Sequence, residues 1–182
     1  MGVPQTVPIH RLTFEDVLAM VDAEILTETD RVELEGGVLV DMEPSGGSHS
    51  SRVQWLIMHF AKAAGDAFVL RVQDTFLIPD GGYYEPDLMV LLPPRDEELP
   101  RTAELVIEVA FSSRSRDVHK AATYAAAGVG EYWIVDVPGE EVITHADPDP
   151  DGYATRRRYG RGDTVPSPVP APGVDVTALL GG

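Results

Sequence analysis

Two short apolar runs in this chain each carry a single acid, and that pairing limits the folds it can adopt. Asp87 stands ahead of Leu-Met-Val-Leu-Leu (88–92), and Glu108 sits inside Leu-Val-Ile-Glu-Val (105–109). Both runs are short and aliphatic, so they read as two largely buried strands of one core sheet. An ionised carboxylate loses several kcal/mol on burial unless a cation, a metal or several donors compensate. If the two strands are neighbours, the start of one lies beside the end of the other and the acids meet. Two such oxygen donors suit Mg²⁺ or Mn²⁺, which take one or two carboxylates and leave positions open for water and a substrate phosphate. The same acids fit a buried salt bridge without metal, and on the residues alone the two readings stand level.

The flanking sequence supplies helices for both faces of such a sheet. Thr13 and Asp16 form an approximate capping box ahead of Phe14, Val17, Leu18 and Val21, which predicts a first helix. Gly36-Gly37 separates two alternating segments over 31–41, a hairpin signature. Ser48 is placed to cap a second helix with an apolar stripe through Val53, Leu56, Ile57 and Phe60, closed by Gly65. Residues 68–78 read as one strand, Glu104–Val109 as another, and 117–127 as a helix that Asp117 caps and Gly128 ends. Strands are predicted over 132–137, 142–145 and 153–159, with 147–152 a turn-rich loop and the Pro-rich 161–182 a peripheral tail. No repeat or composition break divides the chain. The expectation is one α/β domain over residues 1–182, a mixed sheet flanked by helices with an N-terminal helix and hairpin.

Composition narrows the chemistry. The 182 residues include no cysteine, which excludes thiol nucleophiles, thiolate-held zinc and iron–sulfur clusters. No apolar run approaches the roughly 20 residues of a membrane span, and Met1–Arg11 lacks the pattern of a secretory signal, so a cytoplasmic protein is expected. The five histidines show no i, i+4 pair, no G-x-S-x-G elbow surrounds Ser112 or Ser113, and no Gly-rich phosphate loop precedes a helix. The net charge of −16 opposes general attraction to a polyanion. It is uneven, however: 6 basic residues face 18 acidic ones in the first hundred positions, and 8 face 12 in the rest. Arg114, Arg116 and Lys120 form one basic cluster, and Arg156, Arg157, Arg158 and Arg161 another. Such clusters either guide an anionic ligand or simply solvate a surface.

Lys120 lies twelve residues after Glu108, near the start of the next helix. Leaning back, it completes an acid–acid–lysine set in which the ammonium orients or deprotonates a water and offsets charge in a phosphorane-like transition state. The alternative is a solvated lysine one turn into a helix. His49 either contacts a phosphate or helps the helix cap, and Gln73 either lines the site or points to solvent. With Arg114 and Arg116 these are the candidate substrate contacts.

Glu-Pro-Asp (85–87), Glu-Leu-Val-Ile-Glu-Val-Ala-Phe-Ser-Ser (104–113), Asp117, Lys120, Tyr124 and Gly-Val-Gly-Glu-Tyr-Trp-Ile-Val-Asp (128–136) resemble the Uma2 family in order and spacing. Arg-Val-Glu-Leu-Glu-Gly-Gly (31–37), His49 and Arg-Val-Gln-Asp (71–74) match its upstream pattern, so the resemblance spans about 12–160. The resemblance implies a PD-(D/E)XK, restriction-endonuclease-like core and a metal-dependent nuclease acting on DNA. It makes Asp87 and Glu108 the catalytic acids and metal ligands for Mg²⁺ or Mn²⁺. The lysine of the family pattern two residues after the acid is Ala110 here, and Lys120 occupies the migrated position. Glu33 matches an upstream acid that approaches the metal, against the alternative of an exposed hairpin carboxylate. Cutting both strands of a duplex calls for two sites, so a homodimer is expected. The rival reading keeps the fold without activity, as a binding module acting through a protein partner or self-association; whether Lys120 reaches the acids separates the two.

Overall fold

The computed structural model describes residues 8–27, 29–42, 46–93, 98–111 and 114–181, with the backbone alone at 114–118. Helix α1 (Phe14–Asp22) opens on the predicted capping box: Asp16 N donates to Thr13 Oγ1, and Thr13 N donates to Asp16 Oδ2. Strands β1 (Val32–Glu35) and β2 (Val38–Asp41) form the hairpin, its turn made by Gly36 and Gly37 at φ of 54° and 75°. Positive φ at both positions matches the twist of the flanking strands and suits glycine.

Helix α2 (Gly47–Ala64) is followed by β3 (Val69–Arg71), β4 (Phe76–Leu77), β5 (Tyr83–Tyr84), β6 (Leu88–Leu91) and β7 (Leu105–Ala110). Then come α3 (Arg114–Ala126), β8 (Glu131–Asp136), β9 (Glu141–Asp149), β10 (Gly152–Gly160), β11 (Thr164–Val165), β12 (Val174–Asp175) and α4 (Val176–Leu180). The main sheet has the order β10-β9-β8-β7-β6-β3, antiparallel except for the parallel pair β7–β8 that α3 connects. A smaller sheet, β2-β1-β5-β4, carries the hairpin.

Side-chain alternation sorts the core into two layers. Leu105, Ile107 and Val109 of β7, with Trp133 and Val135 of β8, pack with Val53, Leu56 and Phe60 of α2. Val106 and Ala110, with Tyr132 and Ile134, pack with Ala121 and Tyr124 of α3. Period-two alternation thus puts Glu108 on the α3 face. No helix among the described residues is long and apolar enough to cross a membrane.

Several sequence expectations are corrected. The single strand over 68–78 is two strands in two different sheets, β3 and β4, because the chain turns out of the large sheet at Gln73, whose φ is 46°. Ser48 does not cap α2; the N-cap is Gly46, without a side-chain bond. Helix α3 already starts at Arg114, so Asp117 lies inside its first turns rather than ahead of them. The loop expected over 147–152 is mostly strand, since β9 and β10 stay paired out to Asp149 and Gly152. The tail is not peripheral: Val165, Val169, Val174, Val176, Leu179 and Leu180 join the α2-side core. Its prolines and glycines set the turns between those apolar residues. Ser112 and Ser113, with residues 43–45 and 94–97, lie outside the described residues.

Candidate active site at the junction of two sheets

Continuing the antiparallel register one step past Leu88↔Ile107 sets Asp87 opposite Glu108. Directly opposite residues share a face of the sheet and approach closely. Asp87 Oδ2 accepts from Val109 N at 2.9 Å and pairs with His49 Nε2 at 2.9 Å. Glu108 Oε1 accepts from Lys120 Nζ at 3.0 Å and from Tyr124 Oη at 3.1 Å. The ammonium also donates to Glu33 Oε1 at 2.8 Å, and Glu33 Oε1 takes a further bond from Glu85 N at 3.0 Å. The face of Tyr84 completes the setting, its ring centroid 4.7 Å from Lys120 Nζ, a cation–π contact.

All four charged groups are withdrawn from solvent: Glu33 is 1%, Lys120 5%, Asp87 7% and Glu108 7% exposed. The exposed-hairpin reading of Glu33 is therefore excluded, as is a solvated Lys120. Burial by itself lowers the pKa of Lys120, but the charges and hydrogen bonds of Glu108 and Glu33 outweigh it and raise the pKa above the ordinary lysine value. The ammonium stays charged. Burial, reinforced by Glu108, likewise raises Tyr124, so it remains a phenol donor. The hydrogen bond to Asp87 raises the pKa of His49, against the opposing effects of burial and of Arg31. Burial and the nearby Glu33 charge raise Glu85.

The charge balance bears on what the site accepts. Glu33 and Glu108 share the one ammonium of Lys120, and Asp87 stands opposite Glu108 with His49 as its partner, an anionic excess in a shielded setting. A divalent cation matches that excess. Among the described residues no three His, Cys, Asp or Glu side chains converge as a ready-made metal cage. The donor set therefore fits an ion that accepts one or two carboxylates and fills the rest of its shell with water, as Mg²⁺ does.

The remaining sequence candidates fall elsewhere. His49 neither caps α2 nor stands open to a ligand at Nε2, since that nitrogen is occupied by Asp87. Gln73 is exposed; its backbone N donates to Pro86 O at 3.1 Å, and it borders a separate groove with Arg31, Tyr83 and Glu85. The side chains of Arg114 and Arg116 lie outside the described residues. In the second basic cluster Arg158 pairs with Glu141 and Arg161 with Glu140, while Arg156 and Arg157 are exposed on β10. The sequence reading names Tyr124 only as part of the family pattern, with no role at the site, and does not name Tyr84. Tyr124 carries a usable signal, lying four residues after Lys120 and thus on the same helix face; Tyr84 and the His49–Asp87 pair join distant segments and carry none.

A mixed sheet flanked by helices, with one acid before a strand, a second inside the next and a lysine facing them, defines a protein of the PD-(D/E)XK, restriction-endonuclease-like class. The chain belongs to the Uma2 family, whose model, described as "Putative restriction endonuclease", matches residues 14–179. That match extends through the C-terminal segment, in accord with its place in the core. A crystal structure from Anabaena variabilis, described as a "putative nuclease", superposes with a TM-score of 0.78 at 17% identity, covering 95% of this chain and 98% of that one. At that identity the likeness shows the fold. No curated protein matches the sequence.

Proposed function

We propose that the chain is a divalent-metal-dependent endonuclease hydrolysing phosphodiester bonds in DNA, with Asp87 and Glu108 as the holders of Mg²⁺ or Mn²⁺. The observation that carries this reading is the ammonium of Lys120, buried and bonded to Glu108 on the side where Asp87 comes opposite. When bound, the ion supplies a Lewis acid for the phosphoryl group and lowers the pKa of an attacking water. Lys120 is held protonated by Glu33 and Glu108, so its part is to present positive charge to the developing phosphorane rather than to take a proton. Glu33 fixes the lysine in place. The restriction endonuclease description of the family supports DNA as substrate. With a net charge of −16, phosphate contacts fall to local cations such as Arg156 and Arg157, and their pull is screened over about 8 Å at physiological ionic strength. Cleavage of both strands of a duplex calls for a closed pair of copies.

The test is cleavage of labelled single- and double-stranded DNA by the purified chain with Mg²⁺, Mn²⁺, Ca²⁺ or EDTA. Activity is expected with Mg²⁺ and Mn²⁺, better at low salt, poor with Ca²⁺ and absent with EDTA. Asp87→Asn and Glu108→Gln are expected to be folded and inactive. Cleavage at the wild-type rate in those variants places the chemistry elsewhere, and failure to cut any DNA or RNA favours the binding-module reading.

A further inference from the structure

We infer that His49 is a positioning residue for the candidate metal site, holding Asp87 by one carboxylate oxygen so that the other is the one presented to an ion. The inference rests on the metal-dependent reading above and deepens it. Asp87 Oδ2 receives two donors from two separate elements, Val109 N on β7 and His49 Nε2 in the first turn of α2, each at 2.9 Å. Neither falls on Oδ1. One donor alone leaves a carboxylate free to swing about it; two on the same oxygen fix both its place and the plane of the group.

Among the described residues the imidazole has no comparable tie elsewhere: its buried Nδ1 meets no hydrogen-bond partner there, and the bond to Asp87 is the only one the ring makes with them. Burying a ring nitrogen without a partner is unfavourable, and an apolar side chain at this position spares the helix that loss. What the imidazole adds is the donor to Asp87. A direct ligand role is not what the geometry offers, because Nε2 is turned to Asp87 and Nδ1 is buried. Outer partners of this kind orient the ligand they hold, and their removal typically costs 10- to 100-fold in metal affinity, on the order seen for other sites.

The experiment is a Mn²⁺ titration of the full chain, followed by the electron paramagnetic resonance signal of the free ion, for wild type, His49→Ala, His49→Gln and Asp87→Asn. Thermal unfolding without metal serves as the check on folding. His49→Ala is expected to bind Mn²⁺ about 10- to 100-fold more weakly with its metal-free unfolding close to wild type, and His49→Gln, which keeps an N–H donor, to recover part of the loss. If His49→Ala unfolds, His49→Leu replaces it, retaining bulk without the donor. Wild-type affinity in the donor-less variant overturns the inference, as does a folded glutamine variant that recovers nothing. A loss as complete as in Asp87→Asn makes His49 a ligand and overturns the positioning role. A wild-type chain that binds no Mn²⁺ sinks the metal-dependent reading itself, and the inference with it.

Discussion

Lys120 Nζ lies 2.8 Å from Glu33 Oε1, a contact across 87 positions of sequence that ties helix α3 to the small sheet. The same ammonium reaches Glu108 in the large sheet, so one cation is shared by acids from both. Buried charges of this kind are costly to leave alone, and the cluster's stability depends on keeping its members together.

Removal of the lysine is therefore expected to be felt in both folding and turnover. Lys120→Met leaves two shielded carboxylates without their cation and is expected to cost about 3–5 kcal/mol in urea unfolding. Glu33→Gln combined with Lys120→Met is expected to cost less than the sum of the single changes, with a coupling on the order of 0.5–3 kcal/mol. Strict additivity means that the pair does not interact in solution. Where the variant folds, turnover is expected to fall about 100- to 1,000-fold, as for other losses of transition-state charge stabilisation.

Divalent cation is expected to stabilise the fold through Asp87 and Glu108. At a Mn²⁺ concentration about 100 times its dissociation constant, linkage gives about 2.7 kcal/mol, a rise of several degrees in Tm for a chain of this size. Asp87→Asn and Glu108→Gln keep the shape and lose the charge, so their Tm is expected not to move with Mn²⁺. A scanning calorimetry series settles the point, and an equal rise in all three proteins places the ion elsewhere.

Stability at mildly acidic pH is expected to depend on His145. The ring is 7% exposed, lies between Tyr132 and Tyr153, and faces Arg156 across the β9–β10 register. Burial lowers its pKa, Arg156 adds to that, and the bond to Tyr132 O only partly offsets them. The unfolded chain thus takes up the proton first as pH falls below about 6.5, and stability drops until the folded-state pKa is passed. Between about pH 7.5 and about pH 5 the wild-type Tm is expected to fall further than that of His145→Gln. Parallel pH profiles for the two proteins leave no room for this effect.

The C-terminal segment is expected to be essential to the fold. Leu179 and Leu180 are 1% and 3% exposed in the α2-side core, and Arg52 donates to Leu180 O. Leu179→Ala and Leu180→Ala are each expected to cost about 2–5 kcal/mol in urea unfolding. Deletion of residues 161–182 uncovers that layer and is expected to abolish the cooperative transition; a truncated chain with the wild-type midpoint contradicts this.

What could be read in the sequence was mostly local. The Thr13–Asp16 box, the Gly36-Gly37 turn and the α2 stripe are signals within a few residues, and the structure forms each of them. The two acids stood out because an anion in an aliphatic strand is conspicuous. Lys120 is legible too, one helix start beyond Glu108, but that Glu33 shares its ammonium and that His49 pairs with Asp87 comes only through tertiary packing. The tail misled for the opposite reason: its prolines and glycines hide six apolar residues spaced to reach the core. At residues 68–78 hydrophobic alternation carries no sign of the backbone turn at Gln73, so one segment serving two sheets looked like one strand.

That turn has a mechanical side. The chain leaves the large sheet after Arg71 and enters the small one at Phe76, while Gln73 N is fastened to Pro86 O one residue ahead of Asp87. Lys120 crosses between the same two sheets by its ion pairs. The covalent crossings at 72–75 and 85–87 and the ionic one act as rivets in a lap joint, where a single rivet permits a pivot and further ones set the angle. Any swivel of one sheet against the other must stretch the lysine's bonds, and a displacement of about 1 Å is enough to cost an enzyme heavily in rate. The angle between the sheets and the distance from Glu33 to Glu108 are, in this protein, a single adjustable quantity.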